Sequence, residues 1–291
     1  MSLSARLGIG FMRVLAHVPL PLLRGFGKAL GLVLHVVALP RRHVVDVNLA
    51  LCFPHIPVLE RRRMARETFV YVAQSWLDRS WLWHAGPGVI DRRVKIVGAI
   101  GEIDDNAQPT IIFAPHFYGL DAAATALTKY TLRPSTTIYT TPRDPMIDDW
   151  LRQGRTRFGN VSVLQRNDGI KPIVACLRRG GILYLLPDMD FGREHTVFVP
   201  FFGVATATVP SLSRFARLGK AKVVPVISRL TKMGYEIEVL PAWQNFPTDD
   251  AVADTALMNE RLAGWIATMP SQYYWVHRRF KTRPEGEPGV Y

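Results

Sequence analysis

The chain predicts an α/β domain with a mainly parallel central sheet flanked by helices, preceded by an apolar, basic helical segment. Three observations carry this expectation. From Val94 onward, short β-rich runs alternate with helical stretches of about ten to fifteen residues, the pattern that strand-helix-strand units leave in a sequence. The 291 residues are 48% hydrophobic and 21% charged, ordinary for a chain that buries a sizeable core. The first 45 residues hold six Lys or Arg (Arg6, Arg13, Arg24, Lys28, Arg41, Arg42) and no Asp or Glu, which sets residues 1–45 apart from 46–291.

Within that first segment the longest uncharged run, Ala29 to Pro40, has 12 residues. At about 1.5 Å per residue it covers roughly 18 Å, short of the ~30 Å hydrocarbon core of a bilayer. Reaching 20 residues brings in Arg24 and Lys28, each costing about 2.5 to 3.5 kcal/mol at a helix centre. Basic residues among Leu, Val and Phe suit a helix in the headgroup region or a short tilted span with snorkelling ends; an apolar helix packed on the domain is the plainer alternative. Pro19 and Pro21 split the segment into two helices.

After Pro40 the segment from Arg41 to Pro54 turns polar, and Glu60 to Trp83 then reads as one long helix. Its apolar residues Met64, Phe69, Val72, Ala73, Trp76 and Leu77 recur three and four apart. "VKIVGAIGEI" and "TIIFAP" read as strands separated by a polar turn at 104–108. There follow helix "DAAATALTKY", strand "STTIYT", helix "MIDDWLRQGRTRFG", strand "VSVL", helix "IKPIVACLRRG" and strand "GILYLLPD". An aromatic loop "FVPFFG", a helix from Val209 to Gly219, strands "AKVVPVIS" and "YEIEVL", and a helix from Asp254 to Pro270 complete the order.

The excess of 36 Lys and Arg over 24 Asp and Glu gives a charge of +12, a field that draws polyanions: nucleic acid, anionic lipid or a phosphorylated substrate. Two lone cysteines, Cys52 and Cys176, predict neither a disulfide framework nor a zinc site. The chain carries no GxSxG elbow, HExxH pair or P-loop, which argues against a covalent serine hydrolase, a zinc peptidase or a P-loop enzyme; no metal or cofactor is expected.

The chemistry is expected in "TIIFAPHFYGLDAAATAL". A strand ends at Pro115, His116 stands in the turn, and Asp121 follows five residues later near a helix start. In a continuous helix the two would lie about 140° apart, so they can meet only if the turn is real, with Gly119 supplying backbone freedom. A carboxylate on one imidazole nitrogen leaves the other to take a proton from a hydroxyl, which suits acyl transfer to an alcohol. Ligands gather at the carboxyl ends of such strands, where His116 stands.

Four separated stretches resemble one family: "PHFYGLD", the run Leu186 to Thr208, "PSQYYWVHRRFKTRP" (Pro270 to Pro284), and "NLALCFP" (Asn48 to Pro54) followed by Glu60-Arg61. They are similar to the late acyltransferases of lipid A biosynthesis, the lauroyl/myristoyl group within the glycerolipid acyltransferase superfamily, over nearly the whole chain. The resemblance implies transfer of a fatty acyl chain from an acyl carrier protein thioester to a hydroxyl of a Kdo-bearing, phosphorylated lipid A precursor at the cytoplasmic face of the inner membrane. It implies His116 as general base with Asp121 as its orienting carboxylate, where many members have Glu. It implies a substrate-binding arginine best matched by Arg155, with Arg152 or Arg157 as alternatives, and a substrate-binding acidic position at Asp188. The acceptor's acidic groups suit guanidinium forks, and the +12 charge would serve membrane, lipid phosphates and carrier protein alike.

Phe198, Phe201 and Phe202 read as core or as a wall for the acyl chain. The cluster His277, Arg278, Arg279, Lys281 and Arg283 reads as a phosphate or membrane contact, or as a basic tail. Two other functions compete: an acyltransferase of the same fold acting on a lysophospholipid or another glycolipid, and a non-enzymatic basic membrane or nucleic-acid-binding protein. The last needs a recognisable nucleic-acid module, and none is present, so no nucleic acid is expected as partner.

Overall fold

The structure, a computed structural model, describes residues 3–105 and 108–291. Helices α1 (Leu3–Leu15) and α2 (Leu20–Val37) are separated ahead of Pro19, as the two prolines predict. The stretch that turns polar after Pro40 is helical: α3 spans Leu39–Cys52, with Pro40 in its first turn, where a missing N–H costs little. The long predicted helix is α4 (Val58–His84). Its first half buries Met64, Ala65 and Phe69 in one core, and its second half buries Leu77 and Trp81 in another. Helices α5 (Pro87–Arg93) and α6 (Gly101–Asp104) bracket β1 (Val94–Gly98). That strand stops short of its predicted length because Gly98, at φ +87°, turns the chain away. The turn expected at 104–108 falls partly on residues 106 and 107, outside the described residues.

Strand and helix then alternate as predicted: β2 (Thr110–Phe113), α7 (Leu120–Tyr130), β3 (Ser135–Tyr139), α8 (Pro145–Arg155), β4 (Val161–Gln165), α9 (Lys171–Arg178) and β5 (Ile182–Leu185). The expected aromatic loop is an antiparallel hairpin of β6 (Val197–Phe201) and β7 (Val204–Thr208). Its two turn residues, Phe202 and Gly203, both take positive φ (50° and 78°), the backbone that closes a two-residue hairpin without splaying its strands. Helix α10 (Ser211–Gly219), β8 (Lys222–Thr231), β9 (Gly234–Val239) and α11 (Ala251–Thr268) follow.

Seven strands form one sheet in the order β1-β9-β8-β2-β5-β3-β4, with every neighbouring pair parallel except β8 and β9. Helix α7 and the second half of α4 cover one face, burying Ile112, Ile182 and Val224; α9, α10 and α11 cover the other, burying Ile111, Leu183 and Val223. Because β5 inserts between β2 and β3, the strand ends after Phe113 and Leu185 become neighbours in space.

Helix α2 is bound to this body along one face. A Cβ on Gly27 would meet the Gln74 side chain at 2.7 Å and one on Gly31 would meet the Val70 backbone at 2.5 Å, so only glycine permits so close a crossing on α4. Arg24, which sequence reasoning weighed as a charge in lipid, is turned inward, 2.9 Å from the buried carboxylate of Asp78. The opposite faces of α1 and α2 leave Leu7, Phe11, Leu22, Phe26, Val33 and Val36 exposed. Among the described residues α2 alone is long and apolar enough to cross a bilayer, with a mean hydropathy of 1.4 over 18 residues.

Candidate active site

His116 lies three residues beyond Phe113, the last residue of β2, and Asp188 lies three beyond Leu185, the last of β5. Phe113 and Leu185 are register partners, and the Ala114 N–H continues the ladder to the Leu185 carbonyl at 2.9 Å. The parallel register therefore delivers the two side chains to one point. His116 Nδ1 is 2.7 Å from Asp188 Oδ1, and the His116 backbone N–H donates to Asp188 Oδ2 at 2.9 Å. The Tyr273 hydroxyl donates to the same Oδ2 at 3.0 Å. Asp188 is fully buried; burial alone would push its carboxyl up, but the charge and hydrogen bonds of His116 and the charge of Arg279 hold it below the usual carboxylate range. With Nδ1 engaged, Nε2 is left for a substrate.

The carboxylate on His116 is thus Asp188 and not Asp121, the residue that the H-x4-D spacing predicted. Asp121 stands in the first turn of α7, where α4 and α8 converge. Arg79 Nε donates to its Oδ2 at 2.7 Å, and the Arg155 guanidinium stands 3.6 Å from Oδ1. Burial works against its ionised form too, yet the charges of Arg79 and Arg155, with the Arg79 hydrogen bond, keep the Asp121 carboxyl below the ordinary range. Two guanidiniums bind a buried carboxylate more strongly than a neutral imidazole can, which is why Asp121 faces them. Gly119 matters for a reason other than the predicted one. Its φ is an ordinary −83°, but a Cβ there would lie 2.8 Å from Ser228 and 3.1 Å from the Tyr235 ring.

His116, Arg79, Asp121 and Arg155 line one cavity of about 580 Å³. Its remaining walls are largely apolar and come from both sides of the sheet: Ile112, Leu127 and Ile182 from the α7 side, Ile173, Leu185 and Phe215 from the α9 and α10 side. The polar corner holding His116 therefore opens on apolar space suited to an aliphatic chain. No group of three or more His, Cys, Asp or Glu among the described residues is placed to hold a metal ion.

Comparison with known proteins decides the lineage. Residues 2–282 match the model of the bacterial lipid A biosynthesis acyltransferases. The chain belongs to that family. It is 33% identical to the lipid A biosynthesis lauroyltransferase of Escherichia coli K12 over 98% of this chain and 94% of that one. A lipid A biosynthesis acyltransferase of Haemophilus influenzae is also 33% identical, over 97% of this chain and 88% of its own. The E. coli K12 myristoyltransferase of the same biosynthesis is 31% identical over 98% and 88%. The protein is accordingly an acyltransferase.

The remaining predicted residues of the acyltransferase divide by what they touch. Of the three candidate arginines on and after α8, Arg155 alone reaches the cavity. Arg152 is exposed on α8 outside the cavity lining. Arg157 donates to the Leu82 carbonyl at 2.6 Å and to that of Ala85, fastening the end of α4 rather than facing a substrate. Asp188, expected at a substrate contact, is fully buried outside the cavity lining, against the histidine it holds. Arg79 was missed altogether, although a signal existed: Trp76, Arg79 and Trp83 stand three and four residues apart on one helix face.

The basic C-terminal cluster is largely structural. Arg279 is buried and donates to the Ala207 carbonyl and the Thr208 hydroxyl, each at 2.8 Å, while Arg283 donates to the Ala205 carbonyl at 2.8 Å; both fasten the β6-β7 hairpin. His277 accepts the Asp190 N–H at 3.1 Å, and burial, with the nearby His116 and Arg279 charges, lowers it to about 4. Phe201 packs in the core against Tyr273 and Phe280, and neither it nor Phe198 nor Phe202 lines the cavity.

Proposed function

We propose that the protein transfers a fatty acyl chain from an acyl carrier protein thioester to a hydroxyl of a Kdo-bearing, phosphorylated lipid A precursor, at the cytoplasmic face of the inner membrane. The observation that carries this reading is the His116 imidazole, held through Nδ1 by buried Asp188, at the polar corner of a cavity with apolar walls. Asp188 accepts a hydrogen bond from Nδ1–H, so Nε2 presents its lone pair and removes the proton of the acceptor hydroxyl as that oxygen attacks the thioester carbonyl. The carbon-sulfur bond then breaks, and the imidazolium returns the proton to the departing thiolate. Asp188 stabilises the imidazolium between these steps. Arg155, a cation in the same cavity, favours the oxyanion that forms on the carbonyl oxygen.

The exposed apolar faces of α1 and α2, flanked by basic residues, support residues 1–45 as the membrane-associating segment, with residues 46–291 carrying the reaction. The test is an incubation of the detergent-solubilised protein with acyl carrier protein thioesters and either the lipid A precursor or a lysophospholipid. Mass spectrometry should find the precursor heavier by one acyl group. Acylation of the lysophospholipid alone would overturn the proposed acceptor, and no product with any carrier thioester would overturn the donor.

A further inference from the structure

The buried or half-buried arginines of this protein sort by what their terminal nitrogens touch. In Arg133 those nitrogens donate to the carbonyls of Ile103, Gln108 and Gly180, at 2.8 to 2.9 Å. Arg157 and Arg279 likewise end on carbonyl or hydroxyl oxygens. Arg79 differs. Its Nε holds Asp121, while among the described residues no group bonds its two terminal nitrogens, and the side chain, 19% exposed, lines the cavity that His116 shares. Its guanidinium carbon lies 4.8 Å from the Trp76 ring centre and 5.5 Å from that of Trp83, so two indoles and one carboxylate hold it. An arginine so constrained has already lost the rotamer freedom that binding would otherwise cost. With Arg155 it sets two guanidiniums against the single charge of Asp121, leaving a net positive corner.

We propose that Arg79 is a phosphate-binding residue of this acyltransferase, using its free terminal N–H groups to hold a phosphate of the substrate beside His116. Asp121 and the Trp76 and Trp83 rings position it. The inference rests on the reaction proposed above and adds a residue and a ligand class to it. Phosphate is the match because a guanidinium whose Nε is taken still offers two N–H groups from its far end to oxygens of one tetrahedral anion. Two substrates can supply that group: the phosphorylated acceptor, or the phosphate ester of the carrier protein's prosthetic arm.

Steady-state kinetics on full-length Arg79→Ala, Arg79→Lys and Arg79→Gln separates them. Acceptor and donor are varied in turn, and the acceptor is used with and without its phosphates. Loss of a charged hydrogen bond raises the KM for the phosphorylated acceptor about 10- to 100-fold, leaves the donor KM within about twofold, and costs far less with dephosphorylated acceptor. Arg79→Lys recovers part of the loss. A rise confined to the donor KM places the same chemistry on the carrier arm and supports the phosphate assignment. A fall in kcat alone, equal for both acceptors, overturns it. Should the wild type acylate no lipid A precursor, the proposed reaction fails separately. The inference is then read from titrations with phosphorylated and dephosphorylated lipid and with carrier protein bearing or lacking its phosphate-linked arm, where wild type and Arg79→Gln showing the same affinities throughout both pairs overturn it. The same titrations decide if Arg79→Ala does not fold.

Discussion

Asp188 and Asp121 are two buried carboxylates at the same end of one sheet, and their partners give them opposite work. Asp188 accepts from an imidazole, a backbone N–H and a phenol, a set that fixes one side chain in place. Asp121 neutralises part of two guanidiniums that face the cavity. Position near the histidine in sequence therefore says less than position in the sheet. Asp121 is five residues from His116 and serves other groups, whereas Asp188, 72 residues away, is its hydrogen-bond partner.

The largest effect expected is that of His116→Ala, which should lower kcat by about two to four orders of magnitude with an unchanged circular dichroism spectrum. Near-normal turnover would remove the reason for distinguishing the two carboxylates at all. Asp188→Asn comes next: it upsets the imidazole tautomer and should cost about a hundredfold or more in kcat, with both KM values nearly unchanged. Asp121→Asn should act mainly on the KM for the phosphorylated acceptor by loosening Arg79. Equal kcat losses in the two Asn variants, with the same pH profile, would erase the comparison.

Stability against pH tests the same pair. Both carboxyls lie below their unfolded values, so each stabilises the fold fully above about pH 4 and loses that contribution as pH falls through its folded value. His277, lowered to about 4 in the fold, adds a loss that begins nearer pH 6.5, because its protonation favours the unfolded chain. Thermal melting from pH 7 to pH 3 should show both phases, and Asp121→Asn or Asp188→Asn should flatten only the lower one. A His277→Gln melt as steep between pH 6.5 and 4 as the wild type would contradict the histidine's part. Smaller still is Arg157→Ala, which leaves the Leu82 and Ala85 carbonyls without their donor and should cost about 1 to 3 kcal/mol of stability. Turnover of the folded variant should stay as it is, in contrast to Arg155→Ala, which removes the cation proposed for the oxyanion; a lowered kcat would return Arg157 to the substrate side.

Much was legible along the chain because it depends on local rules. Alternating strand and helix periods, the prolines at Pro19 and Pro115, and the stripe on α4 each reflect backbone geometry and burial within a few residues. The errors had the same origin. Asp121 reads as the partner of His116 because it is near in sequence; "FVPFFG" reads as a loop because its hairpin depends on two positive φ angles that Phe202 does not advertise.

By itself, then, the sequence determined the α/β class, the segment order, the His116 turn at a strand end and the family. Tertiary structure alone decided which carboxylate meets His116, which of three arginines reaches the cavity, and that Arg24 turns inward to Asp78. The physical reason is that those pairings cross the sheet or join packed helices. Inserting β5 between β2 and β3 brings Asp188 to His116, and the packing of α4 with α7 and α8 brings Arg79 and Arg155 to Asp121. No spacing along the chain encodes either meeting.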